Sequence, residues 1–514
     1  MKNSGNKRQL VLHPIFFAVF PIIFLFNNNR SGSLAFRQVL IPLFIALAAS
    51  LLLWGLLNLA YRNPRKSGLI GSLVVLLFFS FGHFHTALVG ITVAGLRVWQ
   101  YRYLLSAYVI IMIIAVFWTV KTSRKLEKLT TVLNLVAVFL VALSFFNIAV
   151  YSIRGATTIR MLGKTERKNF LETAPRDDYP DIYYIVTDAY AHAHTLRMAY
   201  NYDNSDFINF LEKKGFYVAA ESFSNYVFTA LSLPSSLNYE YLDYLWDGGE
   251  DSSEIWSALN YLIENNKVVR FLKNRDYKFV HFDSGWSINE RNRHADLHLR
   301  YGYTNEFAVV LAQTTLLLPF RRALNLFAAD HRKRILGIFA GIAEVQQKVP
   351  GPKFVFAHVV CPRGPFVFGP AGEERNLDWG ILSPEGRRQA YADQVAFVNL
   401  KLIELLKVLI PSSDRPPIVI IQADHGHIPV EDLTGEPTDR YLRERLRILN
   451  AYFLPYGGEE MLYPSISPVN TFRLIFNYYF GTDFPLLPDR CYYNASGYDF
   501  VDVTDRVVFP PEGD

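Results

Sequence analysis

Pro417-Ile-Val-Ile-Ile-Gln-Ala-Asp424-His425-Gly426 is the stretch on which the fold turns. Its apolar run, Ile418–Ile421, reads as a strand buried on both faces, as in parallel sheets covered by helices. In open α/β sheets, ligands sit just beyond the carboxyl ends of the strands. An acid and an imidazole delivered together at that rim suit a metal ion, although an Asp after a strand is also commonly a turn or cap residue.

A second apolar strand, Pro180-Asp-Ile-Tyr-Tyr-Ile-Val-Thr-Asp188-Ala, lies upstream and also ends in an acid. Tyr277-Lys-Phe-Val-His281-Phe-Asp and Lys353-Phe-Val-Phe-Ala-His358-Val-Val-Cys-Pro repeat the pattern with histidines. If the sheet is mostly parallel, all four ends converge on one rim. The hydroxyl-rich stretch Ser224–Asn238, with Thr229 inside it, follows the first of these strands and is placed to open a helix.

At 514 residues the chain is too long for one ordinary core. Residues 1–151 carry five apolar runs: Leu10–Phe26, Val39–Leu59, Leu69–Val89, Leu104–Val120 and Leu129–Tyr151. Each approaches or exceeds the roughly 17–25 residues that cross a bilayer, the first being the shortest. Four more spans follow that first run, so it is not a cleaved signal peptide. With the N-terminus inside, the cytoplasmic segments hold Lys2, Lys7, Arg8, Arg62, Arg65, Lys66, Lys121, Arg124, Lys125 and Lys128, against Arg30, Arg37, Arg97 and Arg102 outside. This bias predicts a multi-pass protein of the cell (plasma or inner) membrane, with everything after Tyr151 extracytoplasmic. Residues 152–179 read as a juxtamembrane connector and 180–514 as the outer domain.

The net charge of +5 is modest and its basic excess lies largely in the membrane part, which speaks against nucleic acid as a partner. Cys361 and Cys491 have no metal or redox spacing and are expected as buried thiols, with pairing the alternative. After residue 180 the strands alternate with helical stretches, Asp206–Lys214, Ile255–Lys273 and Gln389–Leu409, the pattern of βαβ units. Phe307–Phe320 is apolar but too short to span, and Arg321-Arg322 follow it. It reads either as an amphipathic helix on the membrane surface or against the spans, or as a buried core helix.

With these residues assembled, the chain resembles the alkaline phosphatase superfamily, and within it the membrane-anchored sulfatase-like branch of the lipoteichoic acid synthase type. The likeness lies in Pro180–Asp188, Ser224–Leu242, Phe354–Phe368 and Ile418–Gly426, and further in Arg447–Pro455 and Pro464–Gly481. It implies an α/β architecture: five N-terminal transmembrane helices, then a sulfatase-like domain whose mostly parallel central sheet is flanked by helices. It also implies one divalent metal ion (Mn²⁺, Mg²⁺ or Zn²⁺) held by Asp188, Thr229, Asp424 and His425, with Thr229 as the catalytic nucleophile. Threonine is a poor nucleophile at neutral pH unless a cation stabilises its alkoxide. Two-metal members need a late histidine, and none follows His427, so a single metal is expected.

Substrate contacts are expected from His281, Trp286 and Arg291, whose spacing is similar to that of the branch's binding residues, and from His358 and Arg363. His427 is a further possible neighbour; His192 and His194 are left out of the site. The branch's histidine before Pro-Phe is replaced here, in Cys361-Pro-Arg363-Gly-Pro-Phe366. Arginine clamps a phosphate or sulfate through its planar fork but cannot shuttle a proton near neutral pH. The expected activity is phosphotransferase or phosphodiesterase chemistry on a lipid-linked or glycan phospho-substrate at the bilayer. The alternatives are a sulfatase-like hydrolase, which lacks its Cys/Ser-x-Pro-x-Arg motif here, and a catalytically weakened envelope protein that binds polyanions.

Overall fold

The computed structural model describes residues 9–29, 34–93, 96–165, 179–246, 252–320, 326–377, 382–410, 415–428, 437–494 and 500–508. The chain forms two compact units: Met1–Arg154 with Asn305–Asn325, and Gly155–Thr304 with Leu326–Asp514. Lys2, Lys7, Arg8, Arg30, Arg321 and Arg322, and residues 166–178 of the expected connector, lie outside the described residues; residues 152–165 of that connector are instead the end of the helix Glu127–Thr165.

In the first unit, Arg37–Tyr61, Pro64–Leu88, Tyr101–Lys121 and Glu127–Leu162 are helices long and apolar enough to cross a membrane, with mean hydropathy of 2.5, 1.8, 2.3 and 2.4. A fifth apolar helix, His13–Asn28, has 16 residues. Its start is tied to the last long helix by Asn134, whose Oδ1 accepts from the Leu12 and His13 amides at 2.9 Å each. Pro64–Leu88 is half buried in the unit, whereas the other long helices leave most of their surface uncovered. Ile41, Phe44, Phe117 and Phe139 are all well exposed. A lipid surface is the environment that such apolar faces fit.

The run at Phe307–Phe320 joins this unit. Its helix, Glu306–Thr314, buries Phe307 completely among Phe17, Phe26, Val39 and Phe79. The Leu316 amide donates to Phe78 O at 2.8 Å. Gly82 makes the approach possible, because a Cβ there would stand 2.1 Å from Gln313 O. Of the two readings open from sequence, packing against the spanning helices is the one realised.

The second unit is built on a seven-stranded sheet: β1 (Ile182–Thr187), β2 (Tyr217–Val218), β3 (Lys278–Phe282), β4 (Leu297–Leu299), β5 (Lys353–Val359), β6 (Ile418–Ala423) and β7 (Asn450–Phe453). Their order is β2-β7-β6-β1-β5-β3-β4. The five strands from β6 to β4 are mutually parallel and only β7 is reversed, so the expected mostly parallel sheet is present. Every residue of β1, β5 and β6 is buried. Alternate side chains feed two cores. Tyr183 and Ile185 face Val395 and Leu402 of Pro384–Leu409, whereas Tyr184 and Val186 share a cluster with Leu233, Phe472 and Phe476. Each such buried aliphatic side chain contributes about 2 kcal/mol.

The expected helix over Ile255–Lys273 is two, Ser252–Glu264 and Lys267–Lys273. Asn266 breaks it by capping the second piece, its side chain accepting from Val269 N at 2.8 Å. Cys361 and Cys491 are both buried free thiols.

Candidate metal and phosphoryl-transfer site

Strand register sets the site. Thr187 pairs with both Ala423 and Val359, so the ends of β1, β6 and β5 fall level and the next residues emerge side by side. Those residues include Asp188 and Asp424. The turn after β1 puts Ala189 at φ +64°, a left-handed conformation that costs a non-glycine residue about 1 kcal/mol. Two contacts hold it: the Ala189 amide donates to Asp424 Oδ1 at 3.0 Å, and Tyr391 OH donates to Ala189 O at 2.7 Å.

Thr229 is the first residue of the helix Thr229–Asn238, after an extended Phe228. Its hydroxyl donates to Asp424 Oδ2 at 2.6 Å and lies 3.1 Å from His425 Nε2. Asp424 Oδ1 also accepts from the His425 amide at 2.9 Å, and Ser224 Oγ donates to Asp424 O at 2.5 Å. Because Gly426 O, 2.9 Å from His425 Nδ1, only accepts, Nδ1 carries the proton and Nε2 presents a lone pair to Thr229. Asp188, Asp424 and His425 each offer one ligand atom within 4.8 Å of the others, and all three are buried.

Sequence reasoning missed Arg445. Its Nη1 donates to Gly426 O at 2.8 Å and its carbonyl accepts from Gly426 N at 2.7 Å, clamping the peptide that orients His425. A Cβ at 426 would come 2.1 Å from Glu444 O, so only glycine fits. Arg445 is one of several arginines in a charged segment, and no pattern in the sequence marks it as the buried one.

Burial raises the Asp424 pKa to about 6, reinforced by the neighbouring Asp188 charge. Asp188 shifts the other way: burial opposes ionisation, but Arg363, His358 and His425 outweigh it and hold the carboxyl well below its usual range. Burial, helped by the Arg445 charge, drives His425 well below its usual value, so it is neutral and able to ligate.

The remaining expected residues divide into groups. Arg363 Nη1 lies 3.3 Å from Asp188 Oδ2, and its guanidinium stacks 4.0 Å over Trp286. His358 is fully buried with Nε2 3.5 Å from Asp188 Oδ2. His281 and Arg291 line a narrow cleft, with room for about one water, together with Asn266, Ile288, Asn292 and Phe356. Thr229, Arg363 and Trp286 do not line it. His427 bonds Tyr200 OH through Nδ1 at 2.9 Å and packs 3.9 Å from the Tyr391 ring; burial takes its pKa to about 3. That histidine is a core residue of the fold.

No family profile matches this chain, and no curated protein matches it. Solved structures do. The periplasmic domain of EptC from Escherichia coli in complex with Zn is 13% identical, with TM-score 0.45, covering 66% of this chain and 98% of that one. The integral membrane lipooligosaccharide phosphoethanolamine transferase A from Neisseria meningitidis is 10% identical, with TM-score 0.35, covering 87% of this chain and 89% of that one. A putative sulfatase from Bacteroides thetaiotaomicron is 13% identical, with TM-score 0.39, covering 60% and 72%.

The donor set itself fits a divalent cation. Two carboxylates, a hydroxyl and a neutral imidazole suit Mn²⁺, Mg²⁺ or Zn²⁺. Among the described residues Asp188 Oδ1 is buried without a hydrogen-bond partner, 3.8 Å from His425 Nε2, the kind of orphan atom that an ion satisfies.

Proposed function

We propose that this chain is a membrane-anchored, metal-dependent enzyme of phosphoryl or substituted-phosphoryl transfer, with Thr229 as nucleophile. The observation that carries the reading is Thr229 Oγ1 at 2.6 Å from Asp424 Oδ2 and 3.1 Å from His425 Nε2, inside a buried set of three ligand side chains. Together with the resemblance to the alkaline phosphatase superfamily, it supports Asp188, Thr229, Asp424 and His425 as the ligands.

A bound cation supplies charge that lowers the pKa of the threonine hydroxyl and offsets negative charge on the reacting phosphate. The protein's own groups do the rest. Thr229 Oγ1 donates to Asp424 Oδ2, which holds the hydroxyl for in-line attack on phosphorus, and its proton passes to solvent as Oγ1 attacks. Arg363, backed by the Trp286 face, offers donors to equatorial oxygens. A phospho-Thr229 intermediate forms, and water or an acceptor hydroxyl resolves it. Arg363 cannot protonate a leaving group, so departing alkoxides must draw a proton from solvent or acceptor.

The apolar helices and the positive-inside bias favour a bilayer setting with the site extracytoplasmic, and hence a lipid-linked donor such as a phosphoethanolamine or phosphoglycerol lipid. The sulfatase alternative requires a modifiable Cys or Ser where this chain has Thr229. The test is incubation of the purified chain and Mn²⁺ with fluorescent phospholipids bearing ethanolamine or glycerol head groups, with mass-spectrometric trapping of Thr229. Head-group release with a modified Thr229 supports the proposal. A metal-free protein whose Thr229→Ala variant behaves as wild type supports the polyanion-binding alternative that Arg363 raises.

A further inference from the structure

The two oxygens of the Asp188 carboxylate meet different neighbours. Oδ1 faces His425 Nε2 at 3.8 Å. Oδ2 lies 3.3 Å from Arg363 Nη1 and 3.5 Å from His358 Nε2. Asp424 Oδ2 is shared, 3.4 Å from His425 Nε2 and 3.9 Å from His358 Nε2. Each carboxylate thus meets both histidines, yet only His425 belongs to the compact ligand cluster.

His358 has no conventional role in this environment. It is fully buried, and among the described residues neither ring nitrogen has a hydrogen-bond partner. Its Nε2 contacts of 3.5 and 3.9 Å exceed the ~2.7–3.2 Å of an N–H···O bond. Tetrahedral donors ~2.1 Å from one ion stand ~3.4 Å apart. The contact from His358 Nε2 to Asp188 Oδ2 therefore has the length of a ligand pair. A positive group already stands at that oxygen: the guanidinium of Arg363, held by its stack on Trp286.

We infer that the site contains a second cation position, formed by Asp188 Oδ2 and His358, and that Arg363 occupies it in place of a metal ion. The inference rests on the one-metal reading above and specifies why the count is one. Neighbouring cations in two-metal sites stand ~3.5–4 Å apart, and both are stabilised by shared carboxylates. Here one of the two charges is covalently attached to the chain. It is permanently positive and cannot be removed by chelation. His358 is then a ligand whose ion has been displaced by a side chain.

The test counts metal in the full-length protein, purified in detergent, stripped with chelator and dialysed against Zn²⁺. Wild type is expected to hold one ion per chain and Arg363→Ala two. Arg363→Gln, which keeps much of the side-chain length over Trp286 while removing its charge, is expected to hold two as well. Adding His358→Ala to either variant returns the count to one. Thermal unfolding identifies any variant that has lost its fold, and the other arginine variant then decides. Two ions in wild type overturn the inference while leaving the metal-site reading intact. One ion in a folded Arg363 variant does the same. No bound ion in any form overturns both.

Discussion

The centre and the edge of the same sheet both gather charged side chains, but they balance them differently. Beyond β3 and β4, at the edge, each carboxylate has a guanidinium partner, with Arg300 serving two of them. Asp283 has Arg300 at 3.1 Å, Glu290 has Arg300 at 3.9 Å, and Asp330 has Arg334 at 3.5 Å. At the centre, Asp188 has Arg363 at 3.3 Å, and among the described residues the ion-pair partners of Asp424 are imidazoles. Carboxylates that each meet a guanidinium make a structural network. Two buried carboxylates with too little positive charge make a place for a cation.

Removing the proposed nucleophile sharpens the contrast most. Thr229→Ala should cut head-group transfer by about 10⁴-fold or more while metal content persists, read by turnover and metal analysis in parallel. Next comes the charge deficit itself. Asp424→Asn should weaken Zn²⁺ binding by about 100-fold or more in calorimetry. In wild type the same carboxyl titrates near 6, and it must be ionised to ligate. Affinity should therefore hold above pH 6 and fall by up to about tenfold per unit below it.

The edge should respond in stability rather than metal binding. Burial raises the Asp283 pKa to about 6, despite Arg334 and Arg300 nearby. A carboxyl raised in the folded state stabilises the fold fully below its unfolded value and loses that contribution as pH rises through 6. The full loss is about 3 kcal/mol, of which about 2 kcal/mol falls between pH 4.5 and 7, and Asp283→Asn should abolish that difference in urea unfolding with no change in metal content. The smallest effect is expected at the pocket by β3. His281→Ala should raise KM about tenfold and change kcat less; a fall in kcat alone would remove His281 from substrate binding.

Much of this was legible from sequence because β1, β5 and β6 are buried on both faces, and burial of that kind requires unbroken apolar runs. Their polar terminators, Asp188 and Asp424, stood out against those runs. Thr229 was reachable only through resemblance, since a threonine opening a helix has no distinctive pattern of its own. Arg445 was invisible because burial depends on how a charged helix packs, and three of its residues are arginines. His427 shows the converse. Adjacent to the ligand pair in sequence, it turns into the Tyr200–Tyr391 core, because the chain after Gly426 no longer follows the strand.

The helix Glu306–Thr314 interrupts the sheet unit in sequence yet packs its apolar side, Phe307 included, on the spanning helices. A truncated form starting at Gly155 would not inherit a finished surface. It would carry a sticky tongue between β4 and the helix Leu326–Lys348, prone to self-association unless detergent or replacement of that tongue covers it.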